Sequence, residues 1–200
     1  MAKIILRERE YSKRGEKSKK SIDYSDEHER SIVMRYDSVN SAKINIPKKG
    51  ETNFYFTSKT LSLLDVLNWV EINLGKIDEA TFIIFTVNEI MAEYIVSLTK
   101  RAKVKIIISD LMNSQREKER LITRLLEKGC EDVVFCHNHA KVVTAKIGDN
   151  YITLTGSMNS GNNARIETLE IFNCEKMYNF IAKQYEYLKQ HFRIKPRYFD

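Results

Sequence analysis

Two mainly apolar runs constrain this chain most. Ala80-Thr81-Phe82-Ile83-Ile84-Phe85-Thr86-Val87 and Val104-Lys105-Ile106-Ile107-Ile108-Ser109 have strand length, β-branched content and almost no polar alternation. Such runs read as strands covered on both faces, as in sheets whose crossover helices shield each side. The stretch between them, Glu89 to Thr99, is of helical length. Ser62 to Ile72 upstream has apolar positions at helical spacing, and a further helix is expected from about Ser114 to Lys128, stopped by Gly129. Strands are also expected at Asn53–Thr57, Asp132–Cys136 and Ile166–Phe172, with an amphipathic helix from Glu175 to Phe192 closing the chain. Strands alternating with helices of about a dozen residues define an α/β fold. The expected architecture is a mixed, largely parallel sheet with helices on both faces.

The later part of the chain breaks this alternation. Lys141-Val142-Val143-Thr144-Ala145 and Tyr151-Ile152-Thr153-Leu154-Thr155 flank Ile147-Gly148-Asp149-Asn150, which carries hairpin-turn chemistry. His139 and Lys141 lie two residues apart just before the hairpin, so strand alternation puts both on one face. Gly156-Ser157-Met158-Asn159 follows it, and a hairpin returns Ser157 and Asn159 to the same neighbourhood. An imidazole, a permanent cation, a hydroxyl and an amide on one patch suit a phosphate better than an acyl group or a metal. In open α/β sheets ligands sit beyond the carboxyl ends of strands, and His137 and His139 follow an expected strand end.

Composition narrows the class. With 200 residues, 42% hydrophobic and 30% charged, the chain has enough apolar content for a sizeable core, and two prolines and seven glycines argue against long linkers. No run approaches the roughly 20 apolar residues that span a bilayer, and the apolar stretch at Ile4–Leu6 is too short for a secretory signal. A cytoplasmic protein without a membrane partner is therefore expected. Three cysteines, an odd number, do not suggest a disulfide framework. Of the net charge of +6, residues 1–20 contribute +5. Residues 1–50 read as a basic, polar N-terminal extension and residues 51–200 as the α/β domain. Lys13, Arg14, Lys17, Lys19 and Lys20 in the extension are expected to contact nucleic acid.

The pattern His139-x-Lys141, hairpin, Gly156-Ser157-x-Asn159 and an acid on the next strand resembles the phospholipase D superfamily, most strongly over residues 137–172. The resemblance implies a phosphodiesterase that forms a covalent phosphohistidine and needs no metal or other cofactor. It assigns His139 as the nucleophile and Lys141 as the clamp on non-bridging phosphate oxygens. Ser157 and Asn159 would bind the phosphate or hold the histidine. Glu167 is the favoured orienting carboxylate, with Glu170 on the opposite face of the same strand as the alternative. The family uses two motif copies per site, and this chain has one, so a homodimer is implied. The small single-motif architecture and the basic leader favour a nuclease acting on DNA or RNA.

One departure counts against this reading. The family places an aspartate five residues after the lysine, where this chain has Lys146. Asp149 lies in the turn and could substitute only in a longer or shifted hairpin. The alternative is therefore a catalytically impaired nucleic-acid-binding protein on the same fold, with Lys146 adding to the binding surface. A zinc site from Cys130, Cys136, His137 and His139 is disfavoured, because ligands so closely spaced on a strand converge poorly.

Overall fold

The structure is a computed structural model describing residues 30–34, 44–58, 61–109, 123–127, 130, 133–158 and 166–192. The described residues form one sheet of eight strands: β1 (Arg30–Met34), β2 (Thr52–Ser58), β3 (Glu79–Ile84), β4 (Lys103–Ser109), β5 (Val133–Cys136), β6 (Lys141–Ile147), β7 (Asn150–Gly156) and β8 (Ile166–Asn173). Their spatial order is β1-β2-β8-β7-β6-β3-β4-β5. The helices are α1 (Leu63–Leu74), α2 (Glu89–Thr99), α3 (residues 123–127) and α4 (Glu175–His191).

Local chemistry accounts for the element ends. Ser62 starts α1 with a capping box: its hydroxyl accepts from the Asp65 backbone N–H, and the Asp65 carboxylate accepts from the Ser62 N–H. The Asn88 side chain caps α2 through the Met91 N–H. Between β6 and β7 the chain turns in two residues, with Gly148 at φ +54°, a conformation that favours glycine.

The sheet is mixed but not largely parallel. β1–β2, β3–β4 and β4–β5 are parallel, while β2–β8, β8–β7, β7–β6 and β6–β3 are antiparallel. The strand–helix alternation determined only the β3-α2-β4 crossover and its continuation to β5. The β6-β7 hairpin and the return of β8 then add strands that pair antiparallel with their neighbours. Helices do cover both faces. On one side Leu64, Leu67, Met91 and Ile95 pack against Phe82, Ile106 and Val143 in the main core. On the other, Tyr185 of α4 packs on Ile83, Ile107 and Val134.

Part of the stretch expected as an extension joins this sheet. β1 pairs in register with β2 from Arg30↔Thr52 to Met34↔Phe56. Ile44 is buried in the core, and the buried Tyr55 hydroxyl donates to the Asn45 carbonyl at 3.0 Å. The apolar stretch Ile32–Met34 is too short to stand out in a polar segment. Lys13, Arg14, Lys17, Lys19 and Lys20 lie outside the described residues, as does most of the helix expected from Ser114.

Candidate functional site

Four strands bring the site residues together. Lys141, first residue of β6, pairs with Ile84 at the carboxyl end of β3. Gly156, last residue of β7, pairs with Leu169 of β8. The cluster thus lies beyond the carboxyl ends of the parallel strands, where the alternation placed it.

The register also separates the two carboxylate candidates. Val143, Ala145, Leu169 and Ile171 all enter the main core, whereas Val142 enters the cluster under α4. Alternation along β6 and β8 therefore puts Lys141 and Glu167 on the same face. Glu170 pairs with Thr155 and Phe54 on the opposite face, away from the cluster.

His139 is exposed at the end of the loop joining β5 to β6. The Asn138 side chain sets that loop by accepting from the Ala140 N–H at 3.1 Å, a short turn that aims His139 outward. Lys141 is only 9% exposed. Its ammonium donates to the His139 carbonyl at 3.2 Å and lies 3.3 Å from His139 Nδ1. Burial lowers the Lys141 pKa from its ordinary value, partly opposed by attraction to Glu167. The Phe85 ring, immediately after β3, lies 4.5 Å from the His139 ring and 5.5 Å from the Lys141 ammonium.

Ser157 ties β7 to β8. Its hydroxyl donates to the Glu167 carboxylate and accepts from the Thr168 N–H at 2.9 Å, while its own N–H donates to the Thr168 carbonyl at 3.1 Å. Gly156 makes this approach possible, because a Cβ there would sit 2.0 Å from the Thr168 carbonyl oxygen. Gly156→Ala is therefore expected to push the strands apart and destabilise the fold by about 1–3 kcal/mol. A denaturant midpoint equal to that of the unaltered chain would refute this account of the glycine.

The structure brings His139, Lys141, Ser157 and Glu167 to one cluster. Asn159 lies outside the described residues. Lys146 does not join the group. It pairs with Glu79 and Tyr151 at the other end of β6, with its ammonium 5.7 Å from the Tyr151 ring centroid. Five residues of strand separate it from Lys141 by about 16 Å, and it lies on the opposite face. Asp149 is exposed in the two-residue turn beyond it, 3.7 Å from Lys49, and cannot reach the cluster either. The position where the motif aspartate is replaced is thus remote from the imidazole. Cys130 and Cys136 are buried in the core while His137 and His139 are exposed, so these four do not converge. Among the described residues no three His, Cys, Asp or Glu side chains are placed to hold a metal ion. Phe85 and Asn138 were not singled out by the sequence, although Phe85 ends a buried strand where ligands gather.

No protein-family model matches the sequence, and neither does any curated protein sequence. Solved structures do. The chain is similar to Nuc from Salmonella typhimurium, a phospholipase D family member, with a TM-score of 0.55 and 19% identity over 72% of this chain and 97% of that one. It is also similar to NucT from Helicobacter pylori, with a TM-score of 0.51 and 17% identity over 71% of this chain and 97% of that one. Polyphosphate kinase from Porphyromonas gingivalis aligns at a TM-score of 0.51 and 14% identity, over 69% of this chain but 25% of the kinase. The fold is phospholipase D-like. Among the described residues no helix is long and apolar enough to cross a membrane.

Proposed function

We propose that this protein is a metal-independent phosphodiesterase, a cytoplasmic nuclease acting on DNA or RNA, whose complete site forms where two copies of the chain meet. The observation that carries this reading is an exposed imidazole with a recessed ammonium 3.3 Å away, beside a hydrogen-bonded serine–glutamate pair. A neutral imidazole can attack phosphorus through a bare ring nitrogen when its other N–H donates to a carboxylate, the role this reading gives to Glu167, since the ammonium can only donate. Lysine supplies the positive charge that stabilises the phosphate oxygens as bonding changes at phosphorus.

In this mechanism a His139 ring nitrogen attacks the diester, an N–P bond forms and a P–O bond breaks. The leaving oxygen takes a proton from the partner's His139. Water then attacks the phosphohistidine and gives its proton back to that second imidazole. The N–P bond breaks, and a monoester leaves. Lys141 draws the non-bridging oxygens toward the sheet, and Ser157 holds Glu167 within reach of the same charge. Asn159 and the basic residues Lys13, Arg14, Lys17, Lys19 and Lys20 complete the contacts to substrate. A twofold dimer supplies both histidines from one gene product, and the exposure of His139 suits such an interface.

The test is incubation with single- and double-stranded DNA and RNA in excess EDTA. Cleavage products are expected. A salt-sensitive mobility shift without products would instead support the binding-only alternative. The distance of Lys146 from the imidazole favours the catalytic reading.

A further inference from the structure

We propose that Phe85 is a positioning residue of this site, its ring acting as the seat that keeps the Lys141 ammonium and the His139 imidazole in register. The inference deepens the phosphodiesterase reading and rests on it for its catalytic consequence. Its structural part stands alone.

Lys141 reaches its position from inside the sheet. Among the described residues its ammonium has the His139 carbonyl at 3.2 Å and the His139 Nδ1 at 3.3 Å as hydrogen-bond partners, both belonging to the residue it must serve. The Glu167 carboxylate attracts it, but that group also accepts from the Ser157 hydroxyl. Phe85 provides a contact independent of all three. Its ring centroid is 5.5 Å from the ammonium, within the range where a cation is drawn to an aromatic face. The same ring lies 4.5 Å from the imidazole at an interplanar angle of 54°, a tilted packing that restricts rotation of an otherwise exposed side chain.

The backbone explains why one ring can touch both. Ile84 pairs with Lys141, so Phe85 leaves β3 level with the residues just before β6, where His139 lies. An aliphatic side chain there would fill space but offer no quadrupole to the ammonium. When a phosphate arrives, its oxygens replace the His139 carbonyl as partners of Lys141, while the aromatic contact persists. Phe85 thus holds the lysine near its working position both before and after substrate binds.

Phe85→Leu and Phe85→Tyr distinguish this role from simple packing. In spectra tuned to lysine ammonium groups near pH 6, the Lys141 Nζ signal of the full chain is expected to be visible, because the group is held and shielded from exchange. Phe85→Leu is expected to lose that signal by faster exchange, and Phe85→Tyr to retain it, with backbone amide spectra otherwise preserved. On a diester substrate, Phe85→Leu is expected to lower kcat/KM by about tenfold, mainly in kcat, with Phe85→Tyr close to the unaltered chain. A Lys141 signal unchanged in Phe85→Leu, or lost equally in both variants, would overturn the proposal. Absence of cleavage by the unaltered chain would sink the phosphodiesterase reading instead and leave the ammonium measurement to decide the role of Phe85.

Discussion

His139→Ala is expected to lower diester cleavage on the order of 10⁴-fold or more, because removing a nucleophile deletes the covalent route outright. The same change should barely affect the fold. His139 is exposed, and its ring packs against Phe85 rather than in either core cluster; surface replacements of this kind stay within about 0.5 kcal/mol. Nucleic-acid affinity should also persist, since it depends on cations that the substitution leaves in place. Cleavage rates and thermal midpoints measured together separate the two effects. Retention of the original rate in the variant would remove His139 from the mechanism.

The second large effect is expected at Lys141, and it has opposite signs for activity and stability. Lys141→Met should lower kcat by about 10²–10³-fold, the range seen when a preorganised charge or donor leaves a transition state. Its stability should stay level or rise at neutral pH. Burial disfavours the ammonium, so the folded-state pKa of Lys141 lies below its unfolded value. A group shifted in this direction contributes its stabilisation above the unfolded pKa and loses it as pH falls through the folded one. At neutral pH the charged lysine is therefore held at a stability cost, partly offset by Glu167, and an apolar side chain of similar length removes that cost. In the proposed mechanism the same shift is expected to set the alkaline limb of the rate profile. Activity should decline as pH rises through the lowered Lys141 pKa, earlier than for an ordinary lysine. A Lys141→Met variant that is both less stable and fully active would contradict both halves of the argument.

Much of the site was legible because its parts are local. His139 and Lys141 are two residues apart where the chain enters β6, and a two-residue turn fixes where Ser157 returns. The preference for Glu167 over Glu170 came from the resemblance, and the register then placed the two on different faces. Phe85 was not legible. Its apolar run reads as buried strand throughout, and only the pairing of β3 with β6, residues far apart in sequence, shows that the run ends beside the imidazole. Lys146 counts against catalysis in the sequence because it stands where the resemblance places an aspartate, five residues after Lys141. A strand carries residues about 3.3 Å apart per step, so proximity along the chain became separation along the sheet.

The sequence by itself determined most strand and helix segments of the described region, the presence of a hairpin, and the nearness of an imidazole to an ammonium, because period, turn chemistry and residue type are local properties. It did not determine that the sheet is mainly antiparallel, that Arg30–Met34 forms an edge strand among the described residues, or that Gly156 must lie against a carbonyl of β8. Those are decided by which distant segments share hydrogen bonds and how closely their backbones approach, and tertiary packing alone selects among such pairings.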